Sequence, residues 1–265
     1  MFLWTKKQAI RAIYSCPCAC ELRLLGEDMK QYKLIMSDLD NTLLPIYTQE
    51  RFVEVWFRDV SKKFAQNGME PAKALEGVSR GIRAMIYNDG SKKNIEVFYD
   101  KVFEISGYTE RDIAPVMYDY YTTTFENVYD LTLPNPNAVR IAELMREKAR
   151  YAVIATMPVF TIEAVENRMK WVGLKPDMFD FITTAETSSY SKPNPLYFQE
   201  ILDRFGVKPD EALMIGNDVR EDMQPCAELG IDVFLVMNHM ITHDLPFDMY
   251  RRGSYDDLIN FLEQL

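Results

Sequence analysis

The sequence predicts an α/β protein, a doubly wound parallel sheet core interrupted by an inserted, all-helical second domain. Three observations predict it. Short apolar runs of strand length recur at residues 33–37, 151–155, 181–184, 212–215 and 231–236, as expected of strands buried on both faces. Between the later runs lie segments with apolar residues at three- and four-residue spacing, the alternation that wraps a parallel sheet in helices. Between the first run and the second, about residues 46–131, no strand alternation can be found.

Taken in order, residues 1–28 read as an upstream extension. Lys6, Lys7 and Arg11 precede any acid, and no apolar core of signal-peptide length is present. Met29, followed by Lys30-Gln31-Tyr32-Lys33 and then a strand, reads as the natural start. Cys16, Cys18 and Cys20 are spaced more tightly than the C-x2-C of zinc sites and have no His nearby. With Cys226 alone, the four cysteines do not form a secreted disulfide framework, and a reducing, cytoplasmic setting is expected. The core is expected over 29–45 and 132–265 and the helical domain over 46–131. Within that domain Phe52, Val55, Trp56, Val60 and Phe64 share one helix face. A second helix covers 71–87, Asn88-Asp89-Gly90 makes a turn, and helical patterns follow at 95–105 and 110–126. Pro134-Asn135-Pro136 marks the return to the core, whose helices are expected at 139–149, 159–171, 195–205 and 220–229, with Gly206 and Gly230 placed to end the last two.

Charge and length narrow the function. The 265 residues carry 30 Lys plus Arg against 40 Asp plus Glu, a formal net charge of −10, which argues against tracking a phosphate backbone and so against nucleic acid as a partner. No stretch approaches the roughly 18 apolar residues of a membrane-spanning helix, so no membrane partner is expected.

The residues able to do chemistry follow the strands. Asp38 and Asp40 leave the first run in Asp38-Leu39-Asp40-Asn41-Thr42, and two residues apart they can face one pocket at the carboxyl end of the sheet. In isolation the pair also reads as a solvated turn or a helix cap. Thr156 ends the second run, Lys192 stands in Ser191-Lys192-Pro193, and Asp218 and Asp222 follow the fourth run in Gly216-Asn217-Asp218-Val219-Arg220-Glu221-Asp222. Singly, Thr156 also suits a helix start, Lys192 a solvated loop, and the two acids a loop and a helix terminus.

As an ordered set these residues resemble the haloacid dehalogenase superfamily of hydrolases, whose four motifs match Asp38-x-Asp40-x-Thr42, Thr156, Lys192 and Gly216-x-Asp218-x3-Asp222. The resemblance covers residue 33 to the C-terminus. It implies a Rossmann-like core with a helical cap inserted between the first two motifs. It also implies an Mg2+-dependent phosphomonoester hydrolase, a phosphatase acting on a small phosphorylated metabolite through an aspartyl-phosphate intermediate. Asp38 would be the nucleophile and Asp40 the general acid and then base. Thr156 would bind a phosphoryl oxygen, and Lys192 would hold both nucleophile and phosphate. Mg2+, with Mn2+ as a substitute, would sit on Asp38, the Asp40 carbonyl and Asp218, with Asp222 supporting it directly or through water. Four acids against a single Lys call for such a cation.

The acid at Asp40 favours phosphate transfer over halide displacement, because dehalogenases of this fold lack it. Phosphomutase or phosphonate-cleaving chemistry is the alternative within the fold, the latter needing a cap amine for which Lys92 and Lys93 are the candidates. A non-catalytic phosphate-binding regulatory protein is the alternative outside enzymology. A receiver module is disfavoured because it places its phosphorylated Asp on a middle strand of a compact domain of about 120 residues. His239 and His243 read as loop residues rather than a zinc pair. Phe52, Trp56, Tyr87, Phe98 and the turn 88–91 are candidate substrate contacts in the cap. A monomer is expected, with a homodimer as the alternative.

Overall fold

The computed structural model describes residues 30–265, so the expected extension 1–28 with its three cysteines lies outside the described residues. Six parallel strands form one sheet in the order β3-β2-β1-β4-β5-β6. They are β1 (Leu34–Ser37), β2 (Tyr151–Ile154), β3 (Phe181–Ile182), β4 (Ala212–Gly216), β5 (Asp232–Val236) and β6 (Arg251–Gly253). This is the strand order of the Rossmann-like doubly wound fold, and its reversal between β1 and β4 opens a crevice at the carboxyl ends of the strands. β1 and β4 are buried along their whole length, which explains their unbroken apolar runs. Ser37 is in register with Ile154 on one side and Ile215 on the other. The residues that follow these three strands therefore emerge side by side.

The chain from β1 to β2 is helical: α1 (Gln49–Gln66), α2 (Pro71–Ile86), α3 (Asn94–Ser106), α4 (Glu110–Thr123), a 3-10 segment (Phe125–Leu131) and α5 (Ala138–Lys148). The chain leaves and returns along two adjacent strips, with Tyr47 N donating to Leu131 O at 2.8 Å and Leu133 N to Pro45 O at 2.9 Å. The α1 stripe of Phe52, Val55, Trp56, Val60 and Phe64 is buried in a cluster with residues of α2, α3 and α4. Edge-to-face aromatic pairs run through it, among them Phe52–Phe125 and Trp56–Tyr120, a geometry that adds to simple area burial.

The rest of the chain alternates as expected: α6 (Ile162–Trp171), α7 (Pro195–Phe205), α8 (Gln224–Leu229) and α9 (Tyr255–Glu263). α7 matches its expected bounds because both ends are specified locally. Asn194 Oδ1 accepts from Leu196 N at 3.0 Å, Pro195 opens the helix, and Gly206 closes it in the left-handed conformation. The segment expected as one helix over 220–229 is instead a wide π turn (Val219–Met223) leading into α8. β6 and α9 were not anticipated, and α9 is fixed by a capping box in which Ser254 N donates to Asp257 Oδ2 at 2.8 Å. No helix among the described residues is long and apolar enough to cross a membrane.

Candidate active site

A cavity of about 630 Å3 opens at the β1/β4 crevice and is lined by Asp38, Asp40, Thr156, Asp218 and Asp222 together with residues of α1, α2 and α6. Asp38 is placed by the sheet itself: its N–H continues the ladder to Ile215 O at 2.9 Å. Its carboxylate is held on both oxygens. Lys192 Nζ donates to Oδ1 at 2.8 Å, and the Thr42 hydroxyl lies 3.0 Å from Oδ2 and from Asn217 Oδ1. Asp40 follows on a tight turn in which Leu39 O accepts from the amides of Leu43 and Leu44. Asn41 takes the left-handed conformation at φ 61°, and its Oδ1 accepts from Ile46 N at 2.9 Å. A short polar side chain that bonds its own turn is what such a position favours.

Lys192 is fully buried, and it also donates to Asp222 Oδ1 at 2.6 Å. Burial opposes its charge, but the Asp222 and Asp38 carboxylates outweigh burial and hold the ammonium well above its ordinary value. It stands behind Asp38 and is not among the residues lining the cavity. Asp222 Oδ2 accepts from Asn217 N at 3.2 Å and Asp218 N at 3.1 Å. With Lys192 on its other oxygen, Asp222 buttresses the loop. Burial, opposed by Lys192, pushes its carboxyl up to about 7. Gly216 is required here by close approach, since a Cβ at that position would lie 2.3 Å from Asp222 Oδ2.

Asp218 caps the π turn, its Oδ1 accepting from Arg220 N and Glu221 N, both at 2.9 Å. Its Oδ2 is 2.8 Å from His243 Nε2, while Arg220 Nη2 lies 3.1 Å from His243 Nδ1. Arg220 has only donors, so Nδ1 accepts and Nε2 carries the hydrogen toward Asp218. His243 is a loop residue, as expected, and its contact with Asp218 is the addition. Nothing in the local sequence pairs it with Asp218, because the contact depends on the loop after β5 folding back over β4.

The charge count is corrected. Lys192 is joined by a second cation, Arg168 of α6, which is buried and paired with Asp40 Oδ2. Its Nε donates to Ala164 O at 3.2 Å, and its guanidinium lies 4.4 Å from the Phe160 ring centre. A signal was available: Arg168 falls four residues after Ala164 on the apolar face of α6, where a charge needs a partner. Burial raises the Asp40 carboxyl above its ordinary value, Arg168 pulls it down, and Asp38 pushes it up again. Asp40 Oδ1 and Arg168 Nη2 are both sealed from solvent without a partner. Glu221, also unforeseen, adds another acid to the lining, its carboxyl raised chiefly by burial. Thr156 is buried at the end of β2, where its carbonyl accepts from Thr183 Oγ1 and Tyr197 Oη at 2.9 and 2.8 Å.

The donors suit a hard cation. Asp38, Asp40 and Asp218 line the cavity together, amid an excess of acids. No three His, Cys, Asp or Glu side chains among the described residues form a ready cluster.

Of the expected substrate contacts, Phe52 and Trp56 line the cavity, whereas Tyr87 is 74% exposed and Phe98 packs in the small apolar pocket of the helical cluster. The turn 88–91 is a joint instead. Asn88 Nδ2 donates to Asn94 Oδ1 at 2.8 Å, and Asn94 Nδ2 reaches Pro158 O at 3.1 Å and Ser191 Oγ at 3.1 Å. Lys92 pairs with Asp100, and Lys93 with Glu200 and Thr187 O. Neither lysine lines the cavity.

A family model described as haloacid dehalogenase-like hydrolase matches residues 32–230. A glyceraldehyde 3-phosphate phosphatase of Methanocaldococcus jannaschii is 26% identical over 237 residues, 88% of this chain and 98% of that protein. A phosphatase of the same name from Methanothermobacter thermautotrophicus is 27% identical, over 88% of this chain and 97% of its own. Among solved structures, the HAD-hydrolase YfnB of Bacillus subtilis, bound to magnesium, superposes with a TM-score of 0.52 at 18% identity, covering 88% of this chain and 100% of that one.

Proposed function

Because the chain belongs to the haloacid dehalogenase-like hydrolases, we propose that it hydrolyses the phosphate monoester of a small molecule through an aspartyl-phosphate on Asp38. The observation that carries this reading is the pairing of two carboxyls on one cavity with different cations behind them, Lys192 on Asp38 and Arg168 on Asp40. The phosphatase names of the archaeal relatives support it.

An Asp38 oxygen attacks phosphorus opposite the leaving oxygen, and the ester bond breaks as Asp40 gives that oxygen a proton. The raised Asp40 carboxyl suits a donor of this kind. Asp40, now a carboxylate, takes a proton from the water that attacks the phosphorus of the aspartyl-phosphate. The bond to Asp38 breaks, phosphate leaves, and both acids return to their starting states. Lys192 steadies Asp38, with two of its three N–H groups engaged by Asp38 and Asp222, and from behind Asp38 its charge would favour the phosphate held there. Thr156, which lines the same cavity, would bind a phosphoryl oxygen. Asp38, Asp218 and the Asp40 carbonyl would hold Mg2+, with Mn2+ as a substitute, and the ion supplies positive charge to the phosphoryl oxygens. The helical segment 46–131 acts as the cap. Phosphonate cleavage is disfavoured by the ion-paired positions of Lys92 and Lys93. We take it to work as a monomer in the cytoplasm, a setting compatible with an acidic chain whose described residues hold no helix long and apolar enough to cross a membrane.

Phosphate release from a panel of phosphomonoesters with Mg2+ tests the reading. Asp38→Asn should lower turnover by at least about 10^3-fold with the circular dichroism spectrum unchanged, and chelation should abolish it. Undiminished release in excess chelator would sink the assignment.

A further inference from the structure

We propose, building on the phosphatase reading above, that the substrate is a phosphate monoester with a single anionic group and an apolar alkyl or aryl leaving group, in place of a short polyol or a bisphosphate.

The cavity has two unlike halves. Its floor is the polar cluster around Asp38, where the phosphoryl group is handled. Its opposite wall is built by Phe52, Trp56, Phe57 and Ile82 of the helical segment, closed on the α6 side by Phe160. Trp56 and Phe57 meet edge to face with ring centres 4.9 Å apart, and Phe160 lies under the Arg168 guanidinium. These rings are held by their neighbours and present carbon. The polar side chains on the helical wall, Gln49, Glu50 and Ser79, are all at exposed positions on its rim.

Two consequences follow for the leaving group. A hydroxylated chain would exchange water for aromatic faces with few donors or acceptors to replace it, whereas an apolar body gains by leaving water. A second anion would find no free Lys or Arg among the described residues lining the cavity. Among the described residues lining the cavity, Arg168 is the one Lys or Arg, and its guanidinium is already engaged by Asp40 with Nη2 sealed from solvent. Glu50 and Glu221 add negative charge around it. The space, about 630 Å3, lies in the range of pockets that enclose ligands well beyond three carbons.

The test compares kcat/KM, in Mg2+, for 1-naphthyl phosphate, hexyl phosphate, glyceraldehyde 3-phosphate and fructose 1,6-bisphosphate. The two apolar esters should exceed both others by at least about tenfold, the discrimination that a methylene or more in an apolar pocket supplies. Phe57→Gln and Ile82→Gln, at half-buried positions, should cut that preference at least tenfold, chiefly through KM for the apolar esters. Val53→Gln, on the same wall and 43% exposed, gives the same readout if the other two fail to fold. Equal or faster turnover of glyceraldehyde 3-phosphate, or wall variants that slow every ester alike, overturns the substrate class and leaves the phosphatase reading standing. No turnover of any ester overturns the phosphatase reading and the substrate class together.

Discussion

At the residue scale the site turns on how two neighbouring acids are made unlike. Asp38 is bound on both oxygens by Lys192 and Thr42, whereas Asp40 meets Arg168 on one oxygen and nothing on the other. On the proposed mechanism the attacking acid is pinned, and the acid that exchanges protons is tied to a cation through one oxygen alone. Arg168→Met removes the cation and leaves Asp40 to burial and to Asp38. Loss of a buried pair's partner is destabilising, here by about 1–3 kcal/mol, less than for a fully buried pair, because the Asp40 side chain keeps 23% exposure. Urea unfolding should show that loss, and kcat should fall at least about tenfold as Asp40 loses its fixed position. A variant with wild-type kcat would show that Arg168 serves packing alone. Asp38, Asp40, Thr156, Lys192, Asp218 and Asp222 were legible because motif order places them after particular strands. Arg168 and His243 were not, because each finds its carboxylate only through the tertiary fold, 128 and 25 residues away in sequence.

At the scale of elements, one buried side chain joins the helical segment to two of the loops around the cavity. Asn94, the first residue of α3, is fully buried and bonds Asn88, Pro158 O and Ser191 Oγ. Ser191 precedes Lys192 and in turn donates to Met85 O at 2.9 Å. Asn94→Ala strands several buried polar groups and should cost about 1–3 kcal/mol, read as a lower denaturation midpoint. It should also lower kcat more than it raises KM, since it loosens the loop carrying Lys192. Intact kcat in a destabilised Asn94→Ala protein would separate the joint from the chemistry. Local signals explain which elements could be anticipated. α7 carries its own cap, proline and terminal glycine, and β1 its buried run. β6 is three residues long and begins with two exposed arginines, so it carries no apolar run. The π turn is imposed by Asp218 and Asp222 bonding back onto the loop, an arrangement that helical periodicity does not encode.

For the whole molecule, the gathering of acids at one sheet edge links stability to pH and to metal. In the metal-free protein burial pushes Asp222 up to about 7 and Asp40 upward as well, so the folded state retains protons that the unfolded chain has lost. Their contribution to stability therefore falls as pH rises from about 4 to about 7 and levels off above that. Thermal unfolding in chelator should show it, and Mg2+ should raise Tm more at pH 8 than at pH 5, where protons compete with the ion. A metal-free Tm that climbs across this interval would contradict the charge arrangement. The sheet order adds a consequence for synthesis. β1 is made first yet lies between β2 and β4, and the ammonium that neutralises Asp38 is 154 residues further on. At about 5–20 residues per second a ribosome needs roughly 8 to 30 s to cover that distance. Through that interval the nascent chain carries β1, a strand buried along its whole length in the fold, without the neighbour on its β4 side, a window in which a holdase chaperone would find its binding segment already exposed.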